Sequence, residues 1–249
     1  MENREKALTD ALNDFERDGF AVVPGVVGAG EISKLIEALT EMNSDGSSVR
    51  RRGDGAYAIR NLLEGVPAVQ NLAASKPIRS LVEHILGPGA FAVRGLLFDK
   101  TPGANWKVAW HQDLSIAVKR RLGIPGFGPW SVKAGVHHVQ PPGKVLERML
   151  AIRLHLDDCG DANGPLQVLP GSHRDGKMNA KEIQSWRART PAVTCAVNRG
   201  GLVLMRPLLF HASSAAEAPA HRRVIHLEYA GHPLPGGLEW LSQTSVFGA

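Results

Sequence analysis

Cysteine is scarce in this chain. Cys159 and Cys195 are the only two among 249 residues, far apart and in no CxxC arrangement. A disulfide framework and a cysteine-rich zinc site are therefore excluded, one bridge at most being possible, and a reducing compartment fits best. No apolar run is long enough to span a bilayer, and the charged start Met1-Glu2-Asn3-Arg4-Glu5-Lys6 lacks a signal-peptide core. The expectation is a cytoplasmic protein away from membranes. Aromatic residues make up 6%, and none interleave with a basic stretch. Nucleic-acid binding, which would need such a stretch and would be strongly salt-dependent, is thus disfavoured despite a net charge of +5. The clusters Arg50-Arg51-Arg52 and Lys119-Arg120-Arg121 read as solvated loop charges. No internal repeat, low-complexity tract or linker divides the chain, so one domain over 1–249 is expected.

The composition is that of an ordinary globular protein, 43% hydrophobic and 21% charged. Residues 1–89 read as mainly helical. Leu8, Leu12 and Phe15 fall at helical spacing behind a cap at Thr9 or Asp10, with Gly19 as the stop. Phe20–Val23 is a short strand closed by Pro24. A second amphipathic helix runs from about Gly30 to Met42, Ser44–Gly55 is a loop, and Tyr57–Arg60 a possible strand. Ser75 and Pro77 open a third helix whose stripe is Ile78, Leu81, Val82 and Ile85, with His84 outside it.

From Ala90 the pattern changes to short apolar runs broken by Gly, Pro and Asn. Strands are expected at 90–97, 106–113, 149–157, 166–169, 192–197, 202–206 and 222–229. Helices first and many turn-separated strands afterwards point to a mainly β fold with flanking helices, a jelly-roll or cupin-like core over 90–230 with helices packed outside. Residues 115–140, rich in Gly and Pro, read as a lid; His137 and His138 within it are candidate substrate contacts or plain loop residues. In 149–157, Ile152, Leu154 and Leu156 alternate with Arg153, His155 and Asp157. Either the polar side lines a barrel interior, making His155 a candidate substrate contact, or it faces water.

The most specific stretch is Trp110-His111-Gln112-Asp113. On a strand, residues two apart share a side, so His111 and Asp113 face one point and supply two parts of a 2-His-1-carboxylate site for non-heme iron. Trp110, beside them, is a further candidate substrate contact. A third ligand must come from elsewhere. His211, after the apolar Leu208-Leu209-Phe210, is preferred to His173, which follows a Pro-Gly turn. Arg222, eleven residues on, offers a planar fork for a carboxylate, and Ser213 a hydroxyl; the plain alternative for Arg222 is a surface ion pair.

These pieces resemble the phytanoyl-CoA dioxygenase family of Fe(II)/2-oxoglutarate oxygenases. The likeness rests on Asp14–Phe20 with Val22-Val23-Pro24-Gly25, on Lys100-Thr101-Pro102-Gly103 with 110–113, on Asn163-Gly164-Pro165-Leu166 with Leu169–His173, and on His211 with Arg222. It implies a double-stranded β-helix with iron on His111, Asp113 and His211. It further implies that Arg222 holds the distal carboxylate of 2-oxoglutarate near Ser213, and that Arg153 faces the co-substrate pocket. Fe(II), 2-oxoglutarate and O2 would together hydroxylate an unactivated C–H bond of a small molecule, a secondary metabolite, amino-acid derivative or lipid, releasing succinate and CO2. Family halogenases lack the carboxylate ligand, so Asp113 favours oxygenation. Two rivals stay open, a metal-dependent hydrolase using the same His-x-Asp and a non-enzymatic cupin-like binding module. The sequence says nothing about oligomeric state.

Overall fold

The computed structural model describes residues 2–42, 49–52 and 55–245. Helix α1 (Glu2–Asp18) leads through Gly19 into β1 (Phe20–Val23), followed by α2 (Ala29–Met42), β2 (Val49–Arg52), β3 (Gly55–Ile59), α3 (Leu62–Gly65), α4 (Pro67–Ala74) and α5 (Lys76–Leu86). Strands β4 (Phe91–Lys100), β5 (Val108–His111), β6 (Ile116–Val118), β7 (Trp130–Lys133) and β8 (Val136–Val139) precede α6 (Gly143–Leu146) and β9 (Met149–His155). The remainder comprises β10 (Leu166–Val168), α7 (Ala180–Arg189), β11 (Val193–Cys195), β12 (Leu202–Met205), β13 (His211–Ser213), β14 (Arg222–Ala230) and β15 (Thr244–Ser245).

The large sheet has the order β1-β12-β9-β14-β4-β3-β2, with β15 also on β4; it faces a smaller sheet, β11-β10-β13-β5. Every pairing in both is antiparallel. This is the expected double-stranded β-helix with helices outside. The strand 149–157 resolves its two readings. Ile152, Leu154 and Leu156 join Ile225, Leu227 and the helix residues Leu35, Leu72 and Leu81 in one buried cluster, while Arg153 turns into the barrel. Burying each such side chain contributes roughly 1.5–3 kcal/mol. That apolar outer layer is what allows the inner face of the same strands to stay polar.

Several local expectations need correction. Helix α1 begins at Glu2, so Thr9 and Asp10 lie within it rather than capping it; Glu, Lys and Arg, which precede Leu8, are good helix formers. Of the stretch 44–55 expected as a loop, Val49–Arg52 form β2, paired with β3 from Val49↔Ile59 onward, so Arg50–Arg52 sit on a strand, and 44–48 and 53–54 lie outside the described residues. The segment 115–140, expected to be an aperiodic lid, is built of regular strands. Strands β6, β8 and β7 form a separate sheet, and Ile116, Val118 and Val139 are fully buried with Trp240 and Leu238. Backbone bonds from Lys119 to Glu239 and from Leu241 to Ala117 tie it to the C-terminal segment. His84 is exposed, as its place off the helix stripe implied.

Two of the sequence motifs explain one another. Gly19 has φ +81°, its carbonyl accepts from Arg206, and the preceding carbonyl of Asp18 accepts from Gly171. A Cβ on Gly19 would stand 2.2 Å from Nδ1 of His173. The Gly19 turn and the Pro170–His173 turn are thus halves of one contact, and this packs His173, the rival ligand, against Gly19 and outside the group of metal-ligand candidates. Gly19→Ala should lower stability by about 1–3 kcal/mol through the left-handed backbone and the displaced imidazole. Thermal unfolding checks this; an unchanged Tm would contradict the contact.

Candidate metal centre

Strands β13 and β5 pair with His211 directly opposite His111. The two imidazoles lie 4.2 Å apart between ring centroids. Asp113 comes just past the end of β5, not on the strand as expected, and its backbone N–H donates to the Pro207 carbonyl at 2.9 Å. One carboxylate oxygen is 3.8 Å from Nε2 of His111 and the other 3.6 Å from Nε2 of His211. Among the described residues these three are the group of potential metal ligands found close together, all ligand atoms within 4.8 Å.

The tautomer of each imidazole follows from its partner. Nδ1 of His111 is 2.8 Å from the Ala109 carbonyl, and Nδ1 of His211 is 2.9 Å from the Leu209 carbonyl. A carbonyl only accepts, so Nδ1 carries the hydrogen in both rings and Nε2 offers its lone pair. Burial pushes His211 down to about 4, keeping it neutral near pH 7. Burial alone would raise Asp113, but His211, His226, His111 and Arg153 outweigh it and hold the carboxyl below its ordinary value. Two neutral nitrogens and one carboxylate are the donor set non-heme iron takes.

Gln112 faces the other way and acts as a clamp. Its amide nitrogen donates to the carbonyls of Leu208 (2.6 Å) and Gly176 (2.8 Å), and its oxygen accepts from the N–H of Met178 (2.9 Å). Ser172, fully buried, accepts from the N–H of Phe210 at 2.9 Å. Both fix the segment that delivers His211.

The triad opens into a cavity of about 290 Å³ inside the barrel. Arg222, Ser213 and Arg153 line it. Arg222 is buried, and its Nη1 donates to the Gly164 carbonyl at 2.5 Å, a carbonyl turned inward by the left-handed Gly164 (φ 59°). The neighbouring Arg223 instead forms an outward ion pair with Asp157, at 2.6 Å and 2.9 Å. Beside Arg222, in register with it, stands Lys100, which the sequence reading passed over. This fully buried ammonium donates to Ser213 Oγ (3.1 Å) and to the Ser214 carbonyl. Burial, then the charges of Arg222 and Arg153, push it down to about 7. The buried Nε atoms of Arg222 and Arg153 have no hydrogen-bond partner among the described residues. Deeper in, Arg153 donates to His226 Nδ1 (3.2 Å), His226 Nε2 faces Glu228 (3.4 Å), and Glu228 pairs with Arg94 (3.0 Å).

The remaining candidates lie elsewhere. Trp110 points to the outer face of the small sheet, against Arg187 of α7. His155 is buried beside Val224, away from the cavity wall, with neither ring nitrogen bonded. His138 is buried and bonds to the Val136 carbonyl at 3.0 Å, and His137 is half-buried; from their hairpin it is Lys133 that reaches the cavity. Strand alternation explains Trp110, since it follows Ala109 and precedes His111 on the opposite side.

Fold and geometry together define a double-stranded β-helix protein with a 2-His-1-carboxylate constellation at its mouth. The chain belongs to the phytanoyl-CoA dioxygenase (PhyH) family, whose profile it matches over residues 15–224. It is 27% identical to an ectoine dioxygenase of Bordetella parapertussis over 173 residues, 66% of this chain and 49% of that relative. It is 24% identical over 254 residues to an L-proline trans-4-hydroxylase of Streptomyces griseoviridis, covering 89% and 86%. The chain thus spans about half the length of the ectoine dioxygenases it matches. Among solved structures, the non-heme alpha-ketoglutarate-dependent epimerase SnoN from nogalamycin biosynthesis superposes with a TM-score of 0.67 at 21% identity, covering 98% of this chain and 97% of that one. EctD from S. alaskensis, with 2-oxoglutarate and 5-hydroxyectoine, gives 0.69 at 20%, covering 91% and 75%.

Gln112→Leu keeps all three ligand side chains but cuts the clamp. Fe(II) affinity should fall about 10–100-fold, measured by anaerobic titration; full affinity in the variant would show that the clamp does not hold the site.

Proposed function

We propose that the protein is an Fe(II)- and 2-oxoglutarate-dependent oxygenase that hydroxylates a C–H bond of a small organic molecule. The observation that carries this reading is one cavity lined by His111, Asp113 and His211 together with Arg222 and Ser213, the buried Lys100 standing behind Ser213. A hydrolytic zinc site needs three ligands but has no use for a buried cation cluster beside them. A binding module without metal gives no reason for three converging ligand atoms. Membership of the family supports the same choice.

His111, Asp113 and His211 would hold iron through two Nε2 atoms and a carboxylate oxygen, leaving positions open toward the cavity. Arg222 and Lys100 would take the distal carboxylate of 2-oxoglutarate, with Ser213 between them; the unpaired Nε of Arg222 is a donor that such a ligand would satisfy. Bound iron, 2-oxoglutarate and O2 supply the oxidising power, with succinate and CO2 as the co-products. The chain's own part is to orient and to exclude water. The Arg153–His226–Glu228–Arg94 series fixes one wall, and Lys133 of the 115–140 sheet adds to the lining. Arg153, buried and with its own unpaired Nε, is available to the co-substrate as well.

Asp113→Ala should abolish succinate release, and Arg222→Ala should raise the KM for 2-oxoglutarate about 10–150-fold, the loss of one charge-assisted contact. Turnover of 2-oxoglutarate by the Asp113 variant at the wild-type rate would remove the proposal. Lys100 adds a pH signature. A neutral amine cannot hold a carboxylate, so binding above pH about 7 must draw a proton onto Lys100. Affinity for 2-oxoglutarate should then weaken by up to about tenfold per pH unit, and Lys100→Met should remove that slope while weakening binding below pH 7. A pH-independent KM in the wild type would rule out Lys100 as a contact.

A further inference from the structure

Glu228 uses only half of its carboxylate. Arg94 donates to Oε1 at 3.0 Å, and Nε2 of His226 stands 3.4 Å from the same oxygen. Nη1 of Arg153 donates to Nδ1 of His226, so that ring carries its hydrogen on Nε2 and turns it to Glu228. Oε2 accepts from no described residue, yet it is not closed off from solvent, and Glu228, only 6% exposed, lines the cavity. A buried pair built for cohesion alone would satisfy both oxygens, since an ionised carboxylate can accept about four hydrogen bonds.

The free oxygen lies beside the metal ligands and away from the co-substrate anchor. Along β4 and β14 the cross-strand pairs run Lys100–Arg222, Phe98–Val224, Leu96–His226 and Arg94–Glu228. Six residues of strand, roughly 20 Å, separate Arg222 from Glu228, more than a five-carbon diacid held at Arg222 can span. Asp113 bears electrostatically on Glu228, and the two line one small void with His226, which sets Glu228 next to the metal-ligand group. Leu96 and Phe98, between the two ends, line the main cavity and give it an apolar stretch.

We infer that Glu228 selects the substrate. Its Oε2 accepts a hydrogen bond from a neutral O–H or N–H group, a hydroxyl or an amide, of a compact molecule whose carbon body lies on Leu96 and Phe98 near the metal ligands. This rests on the oxygenase reading and narrows it. A neutral donor fits better than an ion. Arg94 already neutralises Glu228, and Asp113, the other acid of the described lining, is turned to the metal, so an ammonium group would stand beside Arg94 with no acid of its own. A carboxylate would set two acids against each other. A molecule without a donor would leave Oε2 unbonded once it fills the cavity, and sites built around a buried polar group reject such analogues strongly. The volume of about 290 Å³, which 2-oxoglutarate shares, sits at the lower limit for small-molecule sites, about 300–1,000 Å³, and excludes a long acyl chain held wholly inside.

The test uses the full chain with Fe(II) and 2-oxoglutarate under anaerobic conditions, where broadening of a probe's NMR signals by the iron reports binding in this cavity. The probes are of equal size. 3-Methylbutan-1-ol and isobutyramide carry a donor, the isomeric ether 1-methoxy-2-methylpropane only an acceptor, and 3-methylbutylammonium a charge. The alcohol or the amide should bind at least about tenfold more tightly than the ether and the ammonium, the tighter of the two naming the donor. Glu228→Gln turns its amide oxygen to Arg94, which only donates, and its NH2 to the cavity. The preference should then pass to the ether, whereas a merely structural role would weaken all probes alike and leave the preference in place. The wild-type comparison needs no variant and stands if Glu228→Gln does not fold. Absent or equal binding of alcohol, amide and ether, tightest binding of the ammonium, or a donor preference that survives in Glu228→Gln overturns the proposal while leaving the oxygenase reading intact. Failure of the wild type to bind 2-oxoglutarate in an Fe(II)-dependent manner removes the reading on which it rests.

Discussion

The register of β5 against β13 is the constraint on which the site depends. His111 and His211, a hundred residues apart, become cross-strand neighbours, and each ring is locked by the carbonyl two residues before it. Because side chains alternate along a strand, a slip of one residue would send either imidazole to the outer face. The protein guards that register with polar contacts outside the strands. Gln112 ties the end of β5 to the segment entering β13, and Ser172 holds Phe210 just before His211. The conspicuous Gln of His-Gln-Asp and the Ser of Pro-Gly-Ser-His thus serve geometry, one step removed from the metal.

The large sheet carries two incompatible environments on its two faces. Ile152, Leu154, Ile225 and Leu227 anchor it to α1, α2, α4 and α5, and Arg153, His226 and Glu228 on the same strands look inward. The outer packing fixes the strands, so the inner side chains can be aimed without contributing to cohesion. Arg222 and Arg223 show the rule over a single peptide bond. One is buried over the Gly164 carbonyl, and the other is paired with Asp157 outside.

What could be read from the sequence follows the same division. The alternation in 149–157 and 222–229 was legible, but not its polarity, because a strand's pattern does not say which face meets the helices until those helices are placed. His111, Asp113 and His211 were legible by residue type and order. Asp113 nonetheless leaves the strand, and it converges through a bond to Pro207 that no local pattern encodes. Lys100, Arg94 and Glu228 were missed for a common reason. Each looks like an ordinary strand-borne charge, and its meaning comes from a partner distant in sequence, Ser213 on the facing sheet for the first and the neighbouring strand for the Arg94–Glu228 pair. The 115–140 sheet was hidden because its strands are three or four residues long and its apolar partners, Leu238 and Trp240, come a hundred residues later.

The interior charges then pose an energetic question that the fold does not answer by itself. Lys100, Arg153 and Arg222 are each pushed below their ordinary values, burial being the first cause in every case. A barrel selected for stability alone would fill those positions with apolar side chains, since buried charge is rarely the more stable choice. Three cations crowded on adjacent strands repel one another as well. Their hydrogen-bond partners are a few carbonyls, a hydroxyl and one imidazole, and the carboxylates that act on them from nearby, Asp113 on Arg153 and Asp99 on Arg222, do not outweigh burial. An anion that enters from outside, as the proposed co-substrate would, adds the compensation that these carboxylates leave incomplete. Places where a protein breaks its own rules of burial are where function resides, and here the sign of what is missing is fixed by the residues that surround it.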